Sequence, residues 1–168
     1  MTILSGRSEI RPPPLYTPEQ RRRRDESGWT LVQGILAPLQ FVVFLVSVGL
    51  ILRFLATGEG LALANASIVL KTFVLYTIMI TGSIWEREVF GRYLFADAFY
   101  WEDMVSILVL TLHTAYLVCF FGGLLDHRTL MGLALCSYAS YAVNAVQFLL
   151  KLRAARLSSP PPVLEPAR

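Results

Sequence analysis

The residues best suited to chemistry lie in one short stretch of the chain, between positions 84 and 103. It contains five carboxylates, two arginines and seven aromatic rings. Glu86 and Glu102 lie near its two ends, where we expect apolar helices to enter the lipid. Partial desolvation at such a boundary favours the neutral, protonated form of a carboxyl group, which is the form that donates a proton. The alternative is an interfacial loop whose Trp and Tyr side chains form an aromatic belt while its charges meet water.

A second candidate lies below this stretch on the following helix. Ser106 and His113 follow Glu102 by four and eleven residues, which places all three on one helical face. His113 then lies about 16 Å along the axis from Glu102, near the middle of a bilayer. Ionisable groups at that depth face a cavity or a partner and are candidates for function. The alternative is a neutral His that donates a hydrogen bond to a neighbouring helix.

Other apolar segments carry polar stripes at helical spacing. We expect most of these residues to hydrogen-bond between helices, while Trp85, Trp101, Tyr76, Asn144, Gln147 and Lys151 could also line a binding site. Lys71 interrupts an apolar segment, and it either reaches the membrane surface by snorkelling or is a buried cation. The stripes comprise Gln33, Gln40 and Ser47, then Thr72, Tyr76, Ser83 and Glu86, and finally Ser140, Asn144, Gln147 and Lys151.

The pattern excludes several kinds of chemistry. The chain has two histidines, His113 and His127, too few for haem or di-iron clusters, and it lacks phosphate-loop, HExxH and GxSxG motifs. Cys119 and Cys136 lie in apolar segments without metal-binding spacing. We therefore expect no cofactor and no protein-bound metal. The arginine run at 21–24 precedes a membrane span, so it predicts a membrane-flanking role rather than nucleic-acid binding.

The elements that position these residues are apolar helices. The chain has 168 residues, 55% hydrophobic and 16% charged, with a mean hydropathy of +0.54. About 20 apolar residues are enough to cross a bilayer as a helix. This composition predicts an all-α polytopic membrane protein with four transmembrane helices and excludes a soluble enzyme. The spans are expected at about 29–55, 62–85, 102–125 and 129–150.

Local signals define the remaining segments. Thr17, Pro18 and Gln20 form a capping-box pattern, which predicts a short surface helix reaching about Ser27. Pro38 is expected to kink the first span, and Gly58 to Gly60 to form a tight turn. The longest loop is predicted at 86–101 and a short turn at 126–128. The predicted organisation is a disordered tail at 1–16, a membrane domain at 17–156 and a disordered tail at 157–168.

The basic residues predict the orientation. With four spans, both termini and the 86–101 loop share one side of the membrane. That side carries 12 of the 15 Lys and Arg residues, against at most Arg53, Lys71 and Arg128 on the other. The positive-inside rule places the richer side in the cytoplasm. We therefore expect a multi-pass protein with cytoplasmic N- and C-termini.

The sequence contains several long and unusual strings. They are LYTPEQ (15–20) with the arginine run, WTLVQGILAP (29–38), GSIWE (82–86), FGRYLFA (90–96), WED (101–103), LHTAY (112–116) and NAVQFLLKLR (144–153). These strings resemble the 3-vinyl bacteriochlorophyllide hydratases. The resemblance covers about residues 15 to 156, nearly the whole expected membrane domain. It implies hydration of the C3 vinyl group of a chlorophyllide or bacteriochlorophyllide to 1-hydroxyethyl, in a bacterial inner membrane, cytoplasmic or photosynthetic intracytoplasmic.

This reaction requires a proton donor for the vinyl carbon and a positioned water, but no redox cofactor. We expect Glu86 or Glu102 to be the acid and Asp103 to orient the water. His113 would ligate the chlorin magnesium or hydrogen-bond in the pocket, and Arg87, Arg92 or Lys151 would bind the propionate. The partners are the chlorin, the bilayer and possible copies of the chain or neighbouring pigment-synthesis enzymes. The alternatives are a pigment-binding or assembly protein without chemistry and a scaffold without chlorin.

Overall fold

The computed structural model describes residues 15–157, which form five α-helices and no strand. Four of these helices are long and apolar enough to cross a membrane, as the sequence predicts. The fold is thus a helical membrane protein. The helices are α1 (Pro18–Glu26), α2 (Gly28–Thr57), α3 (Leu61–Phe90), α4 (Tyr100–Gly122) and α5 (His127–Leu157).

The predicted surface helix is present as α1. Thr17 Oγ1 accepts a hydrogen bond from the Gln20 backbone N–H at 3.2 Å, and Gln20 Oε1 accepts one from the Thr17 N–H at 2.9 Å. This is the reciprocal capping box that the sequence predicts. Ser27 ends α1 and caps α2, so the two helices follow each other with one residue between them.

The turn between α2 and α3 also agrees with the sequence. Gly58 and Gly60 adopt φ angles of 76° and 83°, a left-handed conformation that residues other than glycine rarely adopt. The Gly58 N–H donates to the Phe54 carbonyl at 2.8 Å and ends α2. Pro38 lies inside α2, which continues through it.

The longest loop is shorter than predicted. The sequence places a loop over 86–101, but α3 continues to Phe90 and α4 begins at Tyr100, which leaves only 91–99 between them. The reason is that Glu86, Arg87 and Glu88 are good helix formers, while the helix stop lies at Gly91. Gly91 has a φ of 83°, and its N–H donates to the Arg87 carbonyl. Glu86 is therefore a helical residue.

The turn between α4 and α5 is similarly displaced. The sequence places a turn at 126–128, but α5 already begins at His127. Asp126 Oδ1 accepts hydrogen bonds from the Arg128 and Thr129 backbone N–H groups at 3.0 and 3.1 Å. Asp126 thus acts as the helix cap. The Thr129 hydroxyl also donates to its Oδ2, and this bond, together with the N–H groups, lowers the pKa of the carboxyl group.

The four long helices form two hairpins that pack against each other. α2 packs along α3, and α4 packs along α5. Buried side chains from all four join the hairpins, including Ile51, Ile68, Tyr116 and Met131. Large apolar side chains cover the outside, for example Leu31 and Phe121, which are 68% and 73% exposed. This inverted surface suits lipid.

Two ends of the bundle are distinguished below. The α1 end contains α1, the 91–99 loop and the last turns of α5, and the far end contains the α2–α3 and α4–α5 turns. The predicted tails lie mostly outside the described residues. Tyr16, which the sequence assigns to the N-terminal tail, is described and is only 5% exposed. Its ring packs on Val89 and Phe99, so ordered packing begins before the α1 cap.

Candidate active site

Two carboxyl groups from different helices meet at the α1 end. Glu86 lies near the end of α3 and Asp103 in the first turn of α4, and their side chains are within hydrogen-bonding reach of each other. They are only 4% and 5% exposed. A carboxylate has no donor, so a hydrogen bond between the two requires one proton. The arrangement is a buried pair that can hold and transfer a proton.

The 91–99 loop holds this pair in position. The Phe95 backbone N–H donates to Asp103 Oδ2 at 2.8 Å, and the Ala96 N–H faces the Glu86 carboxyl. Phe95 has a φ of 60°, which is uncommon for an aromatic residue and costs conformational energy. Glu86 Oε2 is buried and accepts no hydrogen bond from an N–H or O–H group of the described residues. The proton shared with Asp103 would satisfy such an oxygen.

The third buried carboxylate, Glu102, is already paired. Lys151 Nζ lies 2.6 Å from Glu102 Oε2 and also donates to the Ala98 carbonyl. Asn144 connects α5 to the same turn of α4, because its Nδ2 donates to the Glu102 carbonyl at 2.9 Å. Its Oδ1 accepts from Ser106 Oγ at 3.1 Å. The predicted Lys151 and Asn144 therefore hold α5 against α4.

Aromatic rings form a wall at the same end of the bundle as the carboxyl pair. Phe99, which is 2% exposed, contacts Trp85, Phe90 and Phe148 at centroid distances of 5.7 to 5.9 Å. Trp85 Nε1 donates to Thr30 Oγ1 at 2.9 Å and links α3 to α2. Tyr16 completes this wall. Burial raises the pKa of the Tyr16 phenol, while the Arg24 guanidinium over its ring opposes that shift.

A cavity of about 510 Å³ lies beside this wall. Its size is within the range of small-molecule sites. Ala96, whose N–H faces Glu86, lines the cavity and connects it to the carboxyl pair, while Glu86 and Asp103 are not among the lining residues. Arg92 also lines it and lies 3.6 Å from Asp97 in an exposed ion pair. The lining residues are Leu15, Gln20, Phe90, Arg92, Ala96, Asp97 and Ala98.

Four other predicted site residues lie away from this cavity. Arg87 donates to the Tyr93 hydroxyl and stacks over its ring. Trp101 is 70% exposed on the outside of α4. Tyr76 shares a hydrogen bond of 2.8 Å with Thr114 between α3 and α4. Gln147 is half-buried, and its Oε1 has no partner among the described residues.

His113 is in the interior of the bundle and does not reach the carboxyl pair. It is 0% exposed, and its Nδ1 lies 2.8 Å from the Val109 carbonyl oxygen. Ten residues of α4 separate it from Asp103, about 15 Å along the axis. Lys71 is also 0% exposed, with its ammonium 3.7 Å from the Tyr141 ring centroid. Lys71 is therefore a buried cation, and snorkelling to the membrane surface was the wrong alternative.

Sequence reasoning missed the backbone groups that build the site. The Phe95 N–H contacts Asp103, the Ala96 N–H contacts Glu86, and the Ala98 carbonyl contacts Lys151. The amino-acid type does not predict which backbone groups contact a site, because nearly every residue has the same N–H and carbonyl groups. The one available signal was the position of Gly91, which ends α3 and fixes where the loop begins.

The sequence is similar to known proteins over most of its length. The profile of the family described as 2-vinyl bacteriochlorophyllide hydratase matches residues 16–154. A relative of that name from Cereibacter sphaeroides is 65% identical over 143 residues, covering 85% of this chain and 89% of the relative. Another from Rhodobacter capsulatus is 59% identical over 145 residues, covering 86% and 84%. No solved structure matches the chain.

The 3-vinyl and 2-vinyl names denote the same activity. The matched residues span all five described helices and include Glu86, Asp103 and every residue that holds them. The resemblance noted from the sequence is therefore confirmed: the chain belongs to the 2-vinyl bacteriochlorophyllide hydratase family.

Proposed function

We propose that this chain adds water to the C3 vinyl group of a bacteriochlorophyllide or chlorophyllide and that the Glu86–Asp103 pair carries the proton. Membership of the family makes the chain a hydratase, a carbon–oxygen lyase of bacteriochlorophyll biosynthesis. One observation supports the assignment of the site. Two buried carboxyl groups from α3 and α4 lie within hydrogen-bonding reach of each other, beside a cavity.

The proton balance of the reaction needs only this pair. The pair gives its proton to the terminal vinyl carbon, which leaves a cation on the adjacent carbon, delocalised into the macrocycle. The oxygen of a water molecule bonds to that carbon, and one water proton returns to the pair. The product is 1-hydroxyethyl, and the pair regains its starting state. A positioned carboxyl acid–base of this kind contributes about 10²- to 10⁴-fold in rate.

Within the pair, the contacts assign different roles to the two residues. Asp103 Oδ2 accepts the Phe95 N–H, which fixes that oxygen as an acceptor and orients the side chain. Glu86 Oε2 is buried and accepts no hydrogen bond from an N–H or O–H group of the described residues, so the shared proton is better assigned to Glu86. Glu86 is therefore the acid and Asp103 its orienting partner. Glu102 is held in an ion pair with Lys151, which removes it from the candidates for the acid.

The chlorin would occupy the cavity at the α1 end, with its vinyl edge toward Ala96 and the carboxyl pair. Phe90 supplies an aromatic surface there, and Leu15 an apolar one. Among Arg87, Arg92 and Lys151, Arg92 is the cation that lines the cavity, so we assign it to the propionate. Lys151 serves Glu102 instead, and Arg87 stacks on Tyr93.

His113 has no step in this mechanism. Its separation of about 15 Å from Asp103 is longer than the distance from a chlorin magnesium to its own vinyl group. One chlorin therefore cannot place its magnesium at His113 and its vinyl group at the pair. Every group that the mechanism uses comes from one chain, so neither a second copy nor a neighbouring enzyme is needed for the chemistry.

We further propose that the α1 end faces the cytoplasm of a bacterial inner membrane, either cytoplasmic or photosynthetic intracytoplasmic, with both termini on that side. The excess of Lys and Arg in the sequence segments at that end supports this orientation. Residues 17–156 then form one membrane domain. A chlorin with a charged propionate would reach the cavity from the aqueous side, while its apolar faces meet aromatic walls.

The test compares Glu86→Gln with the unaltered chain in membranes that receive the vinyl chlorin in deuterated water. Mass spectrometry follows the gain of one water in the product and deuterium in the recovered vinyl substrate. We expect hydration to fall by about 10²-fold or more, with no deuterium entering the vinyl group, because the amide donates no proton to carbon.

Glu59→Gln is the matched control, since Glu59 is an exposed carboxylate at the far end that forms an ion pair with Arg53. It should hydrate the substrate at the rate of the unaltered chain. Near-normal turnover of Glu86→Gln at normal protein levels would overturn the assignment of the acid.

A further inference from the structure

Three buried polar atoms in the middle of the bundle have no partner among the described residues. They are Gln40 Oε1, Lys71 Nζ and His113 Nε2, contributed by α2, α3 and α4. The three residues are at most 2% exposed. Buried polar groups in proteins are nearly always hydrogen-bonded, to protein or to water. Each of these atoms therefore indicates a missing partner.

The register of the α2–α3 hairpin places Gln40 close to the level of Lys71. Gln33 bonds to Thr81, and Ser47 bonds to Ser67, at distances of 2.8 and 2.7 Å. Gln40 is midway between the first members of these two pairs, so its antiparallel neighbour is position 74, midway between the second members. Lys71 lies three residues away, less than one helical turn.

Aromatic contacts bring His113 to the same place. The His113 ring stacks on Tyr138 with a centroid distance of 5.6 Å, and the Lys71 ammonium lies over Tyr141. Phe44, one turn after Gln40, contacts both tyrosine rings at 5.4 and 5.0 Å. The three polar atoms therefore surround one interior region walled by Phe44, Tyr138 and Tyr141. We call these three polar residues the central polar cluster.

The donors and acceptors of this cluster select its ligand. Because the Val109 carbonyl can only accept, His113 Nδ1 carries the hydrogen, and Nε2 is an acceptor in the neutral ring. Gln40 Oε1 is an acceptor, and Lys71 Nζ is a donor. A water molecule can accept from Lys71 and donate its two hydrogens to the other atoms. An anion would be repelled by the two acceptors, and a metal cation by the ammonium.

We propose that the central polar cluster binds a water molecule that links Gln40, Lys71 and His113. Buried waters commonly make about three hydrogen bonds of this kind. The water would join α2 and α3 of one hairpin to α4 of the other. It would act as a polar lock between the two hairpins, independent of the carboxyl pair that we assign to hydration.

The test is a double-substitution cycle on the full chain in detergent, read by the unfolding temperature. Gln40→Leu and His113→Phe should each lower that temperature, and the double variant should fall only about as far as the larger single effect. Both substitutions disrupt the same water, so their effects are not additive. Gln33→Leu combined with His113→Phe is the control and should be additive, since Gln33 has its own partner in Thr81.

A measurement without substitution at the site guards against variants that do not accumulate. Solid-state NMR of the lipid-embedded protein labelled with ¹⁵N-histidine separates the two histidines, with His127→Gln for assignment. We expect an unprotonated His113 Nε2 that receives magnetisation from water, although the residue is 0% exposed. Additive effects of Gln40→Leu and His113→Phe, or a His113 signal that receives nothing from water, would overturn the proposal.

Discussion

The carboxyl pair at the α1 end and the central polar cluster both lie inside the bundle, about 15 Å apart along α4. Their surroundings differ in the source of hydrogen-bonding partners. Around the pair and the neighbouring Glu102, backbone groups of Phe95, Ala96 and Ala98 contribute contacts. The Lys71 ammonium instead lies over the face of the Tyr141 ring, and its Nζ has no hydrogen-bond partner among the described residues.

This difference follows from helix geometry. In the middle of a helix, every backbone N–H is used within the helix, and a carbonyl can at most accept a second bond, as Val109 does from His113. A buried acceptor there therefore depends on other side chains or on water. At helix ends and in loops, backbone groups are free to bind side chains. The end of a bundle is therefore where several carboxyl groups can be held close together. The middle is better suited to a small bound molecule.

The largest expected effect is on the rate of hydration, when both members of the pair are changed. Glu86→Gln and Asp103→Asn should each lower the rate by about 10²-fold or more, and the double variant should lose little beyond the larger single loss. Groups that act as one unit are not additive in rate. Turnover by the three variants at matched protein levels tests this. Multiplying losses would mean that the two carboxyl groups act separately.

The ion pair beside the reactive carboxyls should matter for stability. Lys151→Met leaves Glu102 buried without its cation, which should lower the free energy of unfolding by about 3 kcal/mol, the lower end for such pairs. We expect a loss at the lower end of the range for buried ion pairs because the Lys151 side chain is 25% exposed to solvent. Denaturant unfolding in detergent measures this, with the exposed Arg153→Met as control. If adding Glu102→Gln restores nothing, the ion pair is not the cause.

The cavity assignment predicts a smaller, purely binding effect. Arg92→Gln should raise KM for the chlorin about fivefold and leave kcat unchanged, because it removes a charge that contacts the propionate in every bound state. The effect is modest since the Arg92 side chain is 65% exposed and solvent screens it. Arg53→Gln, at the far end, should change neither constant. A fall in kcat with unchanged KM would place Arg92 elsewhere in the reaction.

The smallest effect is expected for Lys71→Met, in the central polar cluster. Methionine fills a similar volume. It loses the hydrogen bond from Lys71 to the proposed water but also removes the desolvation cost of a buried amine. Because these two effects oppose each other, the free energy of unfolding should change by less than about 1 kcal/mol. Hydration should stay within about twofold. The same assays used for Lys151→Met provide the comparison. A loss of unfolding free energy as large as that of Lys151→Met would show that Lys71 contributes as much to stability as Lys151 does.

The sequence predicted the elements better than their ends. The apolar runs, the capping box at Thr17 and the glycine turn at Gly58 are local features, and the structure contains each of them. The sequence predicts the end of α3 five residues too early. The charged residues after Trp85 indicate that the chain leaves the membrane there, but the helix itself continues to Phe90. Charged residues indicate where the chain leaves the lipid, whereas the end of the helix is set by its capping residue, here Gly91.

The candidate site was predicted in part. Glu86 and Asp103 were named from their place beside apolar segments, and the structure brings them together. Glu102 was ranked equally with Glu86, and only the tertiary structure separates them, since Lys151 comes from a helix 49 residues later. His113 shares the face of Glu102 as predicted, but its depth along α4 removes it from the pair. Helical spacing fixes a face and leaves open which neighbour packs against it.

The sequence by itself determined that this chain is a four-helix membrane protein and to which family it belongs, because hydropathy, caps and long characteristic strings are properties of neighbouring residues. The tertiary structure decided which carboxyl group is paired with a cation, which pair can share a proton and whether Lys71 is buried. These depend on groups from separate helices and on backbone atoms in the 91–99 loop. Only packing brings such groups within hydrogen-bonding distance.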